Sequence, residues 1–382
     1  MVSEGMRRVE DLVREEIRQL NPCVHGGEVW NVAVETGKDV GDFIDFSSSV
    51  NPLGPSEKAL AAVRNGFKTL TLYPDSNSTA LRESIASYYG LDRRNVIVGN
   101  GSTELIYLFA EVFLNSGETA LVPSPSFGEY ENAIRKAGGQ PKFVPLDSEF
   151  QVDAGGFKRA MFGAKIVYLC NPNNPTGMLM EHASVLEIIE AALAENALVF
   201  LDEDFIEFVD DEHNHSMLGE LKRCKNLFVL RTFTKFYGLT GLRVGFGVAD
   251  ARIIEVLERV KMPWSVNSLG QAAAEAALLD EEHNSETRAV IRAERNFMLA
   301  ELAKLRRFKV FPADANYVFL NVRGSGLDAA ELRANMLKRG LLIRDCTSFR
   351  GLDKFFVRVA IRTHLDNQRL LKAFRDILSN AT

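Results

Sequence analysis

One lysine is marked by its company. In the stretch Thr232-Phe-Thr-Lys-Phe-Tyr-Gly-Leu-Thr-Gly-Leu-Arg243, Lys235 sits between a hydroxyl pair and a glycine-spaced run ending in arginine. It is the only lysine between Lys225 and Lys261. A lysine shielded from water has a lowered proton affinity and can attack a carbonyl carbon. The alternative for such a residue is a solvated loop lysine. Three other stretches bear on the choice. Gly99-Asn-Gly-Ser-Thr-Glu104 places glycines and hydroxyls where an apolar helix begins, so free backbone N–H groups and a positive dipole end can cradle a phosphate. The simpler alternative is an N-cap by Ser102. Asn171-Pro-Asn-Asn-Pro-Thr-Gly177 is a rigid turn that fixes Asn174 as a polar group. Asp202, in Asp202-Glu-Asp-Phe205, follows five apolar residues, and a carboxylate there wants a cationic partner.

The elements that must position these groups are short apolar runs alternating with helical segments. The runs cover 95–100, 119–124, 141–146, 165–170, 197–202, 227–232 and 243–249. They are apolar on both faces, as strands in a parallel sheet are, and helical stretches such as 102–114 and 182–195 lie between them. The pattern predicts an α/β sheet covered on both sides. In such sheets ligands sit at the carboxyl ends of the strands, where all four stretches fall. A lysine, an acid, a polar donor and a phosphate cradle are what pyridoxal 5'-phosphate requires.

After residue 270 the texture changes. A long helix over 270–306, strands within 308–322, a helix near 328–339, strands at 341–346 and 355–363 and a final helix suggest a smaller α+β unit. The expected division is 51–269 for a large cofactor-binding domain, with 1–50 and 270–382 forming the small one. Met6, Val9, Val13, Ile17 and Leu20 recur at helical spacing and predict an N-terminal amphipathic helical arm.

With NPNNPTG, DEDF and TFTKFYGLTGLRVGF in place, the sequence resembles the fold-type I pyridoxal-phosphate enzymes of the class I/II aminotransferase family, from about residue 25 to the C-terminus. That resemblance implies a large domain with a mostly parallel seven-stranded sheet and a smaller α+β domain. It implies that Lys235 carries the cofactor covalently, that Asp202 pairs with the pyridinium nitrogen and makes the ring an electron sink, and that Asn174 bonds the ring hydroxyl. Gly101, Ser102, Thr103, Thr232, Thr234 and Arg243 match the phosphate pocket, and Phe127 the aromatic that stacks on the ring. Tyr73 matches the residue that reaches the cofactor phosphate of a partner subunit, which implies a homodimer with shared active sites. Phe205 departs from the commoner pattern, in which a tyrosine there also bonds the ring hydroxyl.

Two branches of the family compete: histidinol-phosphate aminotransferase, and the L-threonine-O-3-phosphate decarboxylase of cobalamin biosynthesis. The His25-Gly-Gly27 start, the run 45–55 and the run 343–363 resemble the decarboxylase more closely. Its substrate carries a carboxylate and a phosphate and needs several fixed cations. Arg344, Arg358 and Arg362 can supply them, and the last two have the same parity on one expected strand. By resemblance Arg358 takes the carboxylate, while Arg344, His25 and Asn51 lie nearer the phosphate.

The bulk composition agrees with an enzyme of small molecules. The chain has 382 residues, 46% hydrophobic and 25% charged, with a net charge of -6 and no basic run to favour nucleic acid. No apolar run reaches membrane-spanning length, and the N-terminus is too charged for a signal peptide, so a cytoplasmic location is expected. Cys23, Cys170, Cys224 and Cys346 are scattered, which favours reduced thiols over a disulfide frame or a zinc site. A nicotinamide dehydrogenase would need the full dinucleotide fingerprint. A metal site built on Asp210-Asp-Glu-His-Asn-His215 competes with a solvated loop, and no metal is expected. A cofactor-binding regulator would usually carry an added DNA-binding module, for which there is no room.

Overall fold

The structure is a computed structural model that describes residues 8–18 and 20–380. Its strands are, in chain order, β1 (Ile44–Asp45), β2 (Val96–Gly99), β3 (Thr119–Ser124), β4 (Gln140–Pro145), β5 (Ala164–Cys170), β6 (Leu198–Asp202), β7 (Leu227–Thr232), β8 (Gly245–Ala249), β9 (Lys309–Val310), β10 (Tyr317–Asn321), β11 (Leu341–Leu342), β12 (Arg344–Asp345) and β13 (Phe356–Ala360). β2 to β8 form a seven-stranded sheet in the order β2-β8-β7-β6-β5-β3-β4. The four pairs from β4 to β7 are parallel, and β8 runs antiparallel to β7 and β2.

Alternation along each strand feeds two separate cores, because successive side chains point to opposite faces. Val167, Leu169, Val199, Leu201 and Val229 pack on one side. Ile166, Tyr168, Phe200, Phe228 and Leu230 pack on the other. Both faces are covered by helices, among them Gly101–Phe113 and His182–Ala194, so the strands read as continuous apolar runs.

Past residue 300 the expected elements form in shorter pieces. The helical segment 270–306 is two helices, Ser268–Leu278 and Glu281–Ala303. The break is at Asp280, a buried acid that accepts from Lys58 Nζ at 2.8 Å. The run 341–346 divides between two sheets. β11 pairs parallel with β1, whereas β12 joins β13, β10 and β9 in an antiparallel sheet. β13 ends at Ala360, because the N–H of Ile361 turns to the carbonyl of Asn316 at 2.8 Å.

The N-terminal arm differs from expectation. Met6 lies outside the described residues. The rest forms two four-residue helices, Val9–Leu12 and Glu15–Arg18, interrupted where Val13 is extended. Neither buries a residue; the second touches the helix Glu129–Lys136, and pieces this short are marginal in water on their own. No helix among the described residues is long and apolar enough to cross a membrane. The four cysteines are free thiols, three of them buried.

Candidate active site

A cavity of about 880 Å³ opens at the carboxyl ends of β5, β6 and β7. Among its lining residues are Ser102, Thr103, Phe127, Asn174, Asp202, Thr234, Lys235, Arg243, His25, Arg344 and Arg358. Residues from seven separate stretches of chain therefore meet in one space.

The floor is Asp202, the last residue of β6 and almost fully buried. Its Oδ2 accepts from the Tyr130 hydroxyl at 2.6 Å and its Oδ1 from the Asp204 N–H at 2.9 Å. Burial pushes its carboxyl up to about 7, and the charge of Asp204 adds to the effect while the Tyr130 hydrogen bond opposes it. No cation is bonded to it, so a protonated ring nitrogen would complete its partners. Lys235 lies beyond the end of β7. Burial lowers its proton affinity; Asp204 opposes the shift, and Arg358 and Arg243 reinforce it. Its loop is tied down by Asn51, whose N–H donates to the Lys235 carbonyl at 3.0 Å.

The phosphate cradle forms where the helix Gly101–Phe113 begins. Gly101 has φ +75, and a Cβ there would meet Arg243 Nη2 at 2.3 Å, so only glycine lets the arginine close over the helix start. Arg243 itself adopts φ +56, a strained conformation for a side-chain-bearing residue. It donates to Thr234 Oγ1 at 3.4 Å and to the Thr240 carbonyl at 3.2 Å. The Thr232 hydroxyl, buried behind it, donates to Thr234 Oγ1 at 2.8 Å. Asn100, without a side-chain cap bond, occupies the N-cap, so Ser102 is inside the first turn and is not a cap. The cradle thus offers helix N–H groups, two hydroxyls and a guanidinium to an anion.

The opposite wall is cationic. Arg344 on β12 and Arg358 on β13 are direct cross-strand partners, each 6% exposed. Like charges so placed repel, and neither arginine is paired with a carboxylate. Arg358 donates to Asn174 Oδ1 and to the Ser47 carbonyl, and its Nε has no partner. Arg344 donates to the carbonyls of Val24 at 2.6 Å and His25 at 3.0 Å and to Ser348 Oγ at 3.0 Å. His25 Nε2 lies 2.8 Å from Glu129 Oε1. Burial pushes Glu129 up, but its hydrogen bonds from His25 and Tyr107 outweigh that and hold its carboxyl below the usual range.

Three expected residues are placed elsewhere. Arg362 lies past the end of β13, so strand parity does not apply to it. It pairs with Asp366 Oδ2 at 3.2 Å and does not line the cavity. Asn51 is buried with both side-chain atoms used, donating to Phe236 O and Thr287 Oγ1 and accepting from the Leu53 N–H, and it stands behind the Lys235 loop. Tyr73 is 79% exposed, packs against Trp264 with ring centroids 4.8 Å apart, and does not line the cavity. The acids of 210–215 serve arginines: Asp210 pairs with Arg292 and Arg295, and Glu212 with Arg231 and Arg288.

Tyr130, Asp204 and Glu129 were not singled out from sequence. Tyr130 lies in the first turn of the helix Glu129–Lys136, three residues after Phe127, and Asp204 lies within the quoted DEDF stretch. Nothing local marks Glu129, whose partner His25 is more than a hundred residues away.

A fold with ligand groups at the strand ends of a doubly covered sheet, a buried acid, a desolvated lysine and an anion cradle defines a pyridoxal-phosphate enzyme class. The chain belongs to the class I and II aminotransferase family, whose family model matches residues 41–376, and pyridoxal phosphate is its cofactor. It is 38% identical over 365 residues to a protein of Caldanaerobacter subterraneus that bears the name threonine-phosphate decarboxylase, covering 95% of this chain and 96% of that one. It is 35% identical over 369 residues to a histidinol-phosphate aminotransferase of Methanothermobacter thermautotrophicus, covering 96% and 97%. The solved histidinol-phosphate aminotransferase of Clostridium acetobutylicum superposes with a TM-score of 0.83 at 32% identity, over 88% of this chain and 99% of that one.

Proposed function

We propose that this chain decarboxylates L-threonine O-3-phosphate to (R)-1-aminopropan-2-yl phosphate, as a lyase of cobalamin biosynthesis. The observation that carries the reading is the clamp of Arg344 on the carbonyls of Val24 and His25. It joins into one wall the His25-Gly-Gly27 start and the run 343–363, two of the three stretches that resemble the decarboxylase. That wall faces Arg358 across paired strands. The two buried arginines supply two anion sites, matching a substrate with a carboxylate and a phosphate.

In this reading Lys235 holds the cofactor, Asp202 faces its ring nitrogen, and Asn174 presents its amide to the ring hydroxyl. Phe127 stacks on the ring. Ser102, Thr103, Thr234 and Arg243, with Gly101 and Thr232 behind them, hold the phosphate. When bound, pyridoxal phosphate supplies a carbonyl for the substrate amine and a ring that accepts the electrons of the broken bond. Arg358 takes the carboxylate; Arg344 and His25 take the substrate phosphate. Holding the substrate by both its carboxylate and its phosphate would fix the rotation about its Cα–N bond, and with it which bond at Cα the bound cofactor could weaken. Lys235 Nζ, its proton affinity lowered by burial, then delivers a proton to Cα. Phe205, packed edge-on to Tyr317 at 5.0 Å, adds no hydroxyl at this edge.

Residues 51–269 form the cofactor domain in this reading, with 1–50 and 270–382 as the small domain. Tyr73 and Trp264 belong to a homodimer interface across which Tyr73 reaches the partner subunit's cofactor phosphate. The chain works in the cytoplasm.

The aminotransferase alternative draws on the 35% identical relative. One experiment separates the two. The cofactor-loaded protein is incubated with O-phospho-L-threonine and assayed for CO2 and aminopropanol phosphate, and in parallel with histidinol phosphate and 2-oxoglutarate and assayed for glutamate. Glutamate without CO2 rejects the decarboxylase.

A further inference from the structure

We propose that Asp204 is the counter-ion that receives the ammonium group of Lys235 when a substrate amine displaces it. The inference rests on the reading of Lys235 given above. Exchange of one amine for another at a carbonyl carbon conserves charge: the substrate arrives as R–NH3+, and the lysine departs as –NH3+. An ammonium released into a cavity that Arg358 and Arg243 also line needs a negative partner.

The cavity offers few. Among its described lining residues the acids are Glu131, Asp202 and Asp204. Glu131 is engaged by Arg350 through both oxygens and by Arg135. Asp202 has each oxygen hydrogen-bonded, to the Tyr130 hydroxyl and the Asp204 N–H. Asp45, the other acid that acts on Lys235, is held by the hydroxyls of Ser47 and Ser48. Asp204 alone of these keeps a buried carboxylate oxygen, Oδ1, without a hydrogen-bond partner. Buried polar atoms are seldom left without a partner, so such an oxygen calls for one. The positive charges that act most on Asp204 are Lys235 and Arg243, and Asp204 is in turn the strongest favourable charge on Lys235. Arg243 already has Thr234 Oγ1 and the Thr240 carbonyl.

The test uses Asp204→Ala and the near-isosteric Asp204→Asn in the cofactor-loaded protein. The rate of amine exchange at the lysine-bound cofactor is followed by absorption after mixing with methylamine and with O-phospho-L-threonine. Both variants are expected to exchange roughly tenfold more slowly or worse, with cofactor affinity within about threefold of the wild type. Unchanged exchange in Asp204→Asn overturns the proposal. Weakened cofactor binding with unchanged exchange also overturns it, and assigns Asp204 to Arg243 instead. If Asp204→Ala does not fold, Asp204→Asn alone decides. Exchange with methylamine needs no decarboxylation, so a wild type that exchanges amines but releases no CO2 would sink the proposed reaction and leave this test intact.

Discussion

Asn174, Asp202 and Lys235 lie at or within four residues of the ends of β5, β6 and β7, three neighbouring parallel strands of one sheet. Arg344, Arg358 and His25, which line the same cavity, come from two strands of a different sheet and from an irregular segment more than three hundred residues away. The first group needs only that the sheet form, because parallel strands deliver their carboxyl ends to one edge. The second needs two sheets and a strap to meet. The proposed cofactor end is thus a consequence of local sequence plus sheet topology, and the proposed substrate end is a consequence of docking. The cofactor end tolerates little change in chemistry, whereas the substrate end is where one fold can be turned to different reactions.

Substitutions at the two ends should separate them. Lys235→Ala should remove the lysine-bound absorption band and lower kcat by on the order of 10⁴-fold or more; a retained band would break the assignment of the cofactor end. Arg358→Ala should reduce kcat/KM about 10²–10³-fold, since a buried charge-assisted contact is lost and Asn174 loses its holder. Steady-state kinetics with O-phospho-L-threonine measures it. Arg344→Ala should act mostly on KM, raising it roughly 10–100-fold for O-phospho-L-threonine. The same variant should leave KM for threonine nearly unchanged, and equal effects on both substrates would mean that Arg344 only braces the strap.

A pH experiment sharpens the contrast at the cofactor end. Asp202 has a carboxyl raised from 3.8 to about 7 in the folded protein, so the folded state binds its proton more tightly than the unfolded one. Its contribution to stability is full below about 4 and is lost as pH rises through about 7. Cofactor-free wild type should therefore lose a few degrees of Tm relative to Asp202→Asn between these limits, and parallel thermal melts with no divergence would contradict it. The smallest effect belongs to Arg362→Ala. Its guanidinium is spent on Asp366 and the Asp45 carbonyl, and kcat/KM should change less than about threefold. A larger loss would return Arg362 to the substrate wall.

The strands of the large sheet were legible because most are apolar on both faces and bounded by turn residues, a pattern with few competitors; the edge strand β4 (QPKFVP) is the exception. The pieces past residue 300 were legible as elements but not in their pairing. The run 341–346 reads as one strand, yet Ile343 separates β11 from β12 and sends them to different sheets. The N-terminal periodicity predicted one helix, but neither of the two short pieces buries a residue, and periodicity without burial does not stabilise a long one. Asn51 and Arg362 carried chemistry that other partners consume, and sequence does not show who holds a side chain.

The sequence by itself determined the cofactor, since Lys235, Asp202, Asn174 and the Gly101 turn are each set by neighbours a few residues away. It also determined the sheet that carries them, because a two-faced apolar run has one stable use. Only the tertiary structure decided that Arg344 grips the backbone of Val24 and His25, that Glu129 holds His25, and that Arg362 is turned away. It alone left Asp204 with an open oxygen in the cavity that Lys235 also lines. The physical reason is the range of the interactions. Backbone propensity and burial pattern act over a few residues and are written in order along the chain. The partners of a buried charge are chosen by packing between segments hundreds of residues apart.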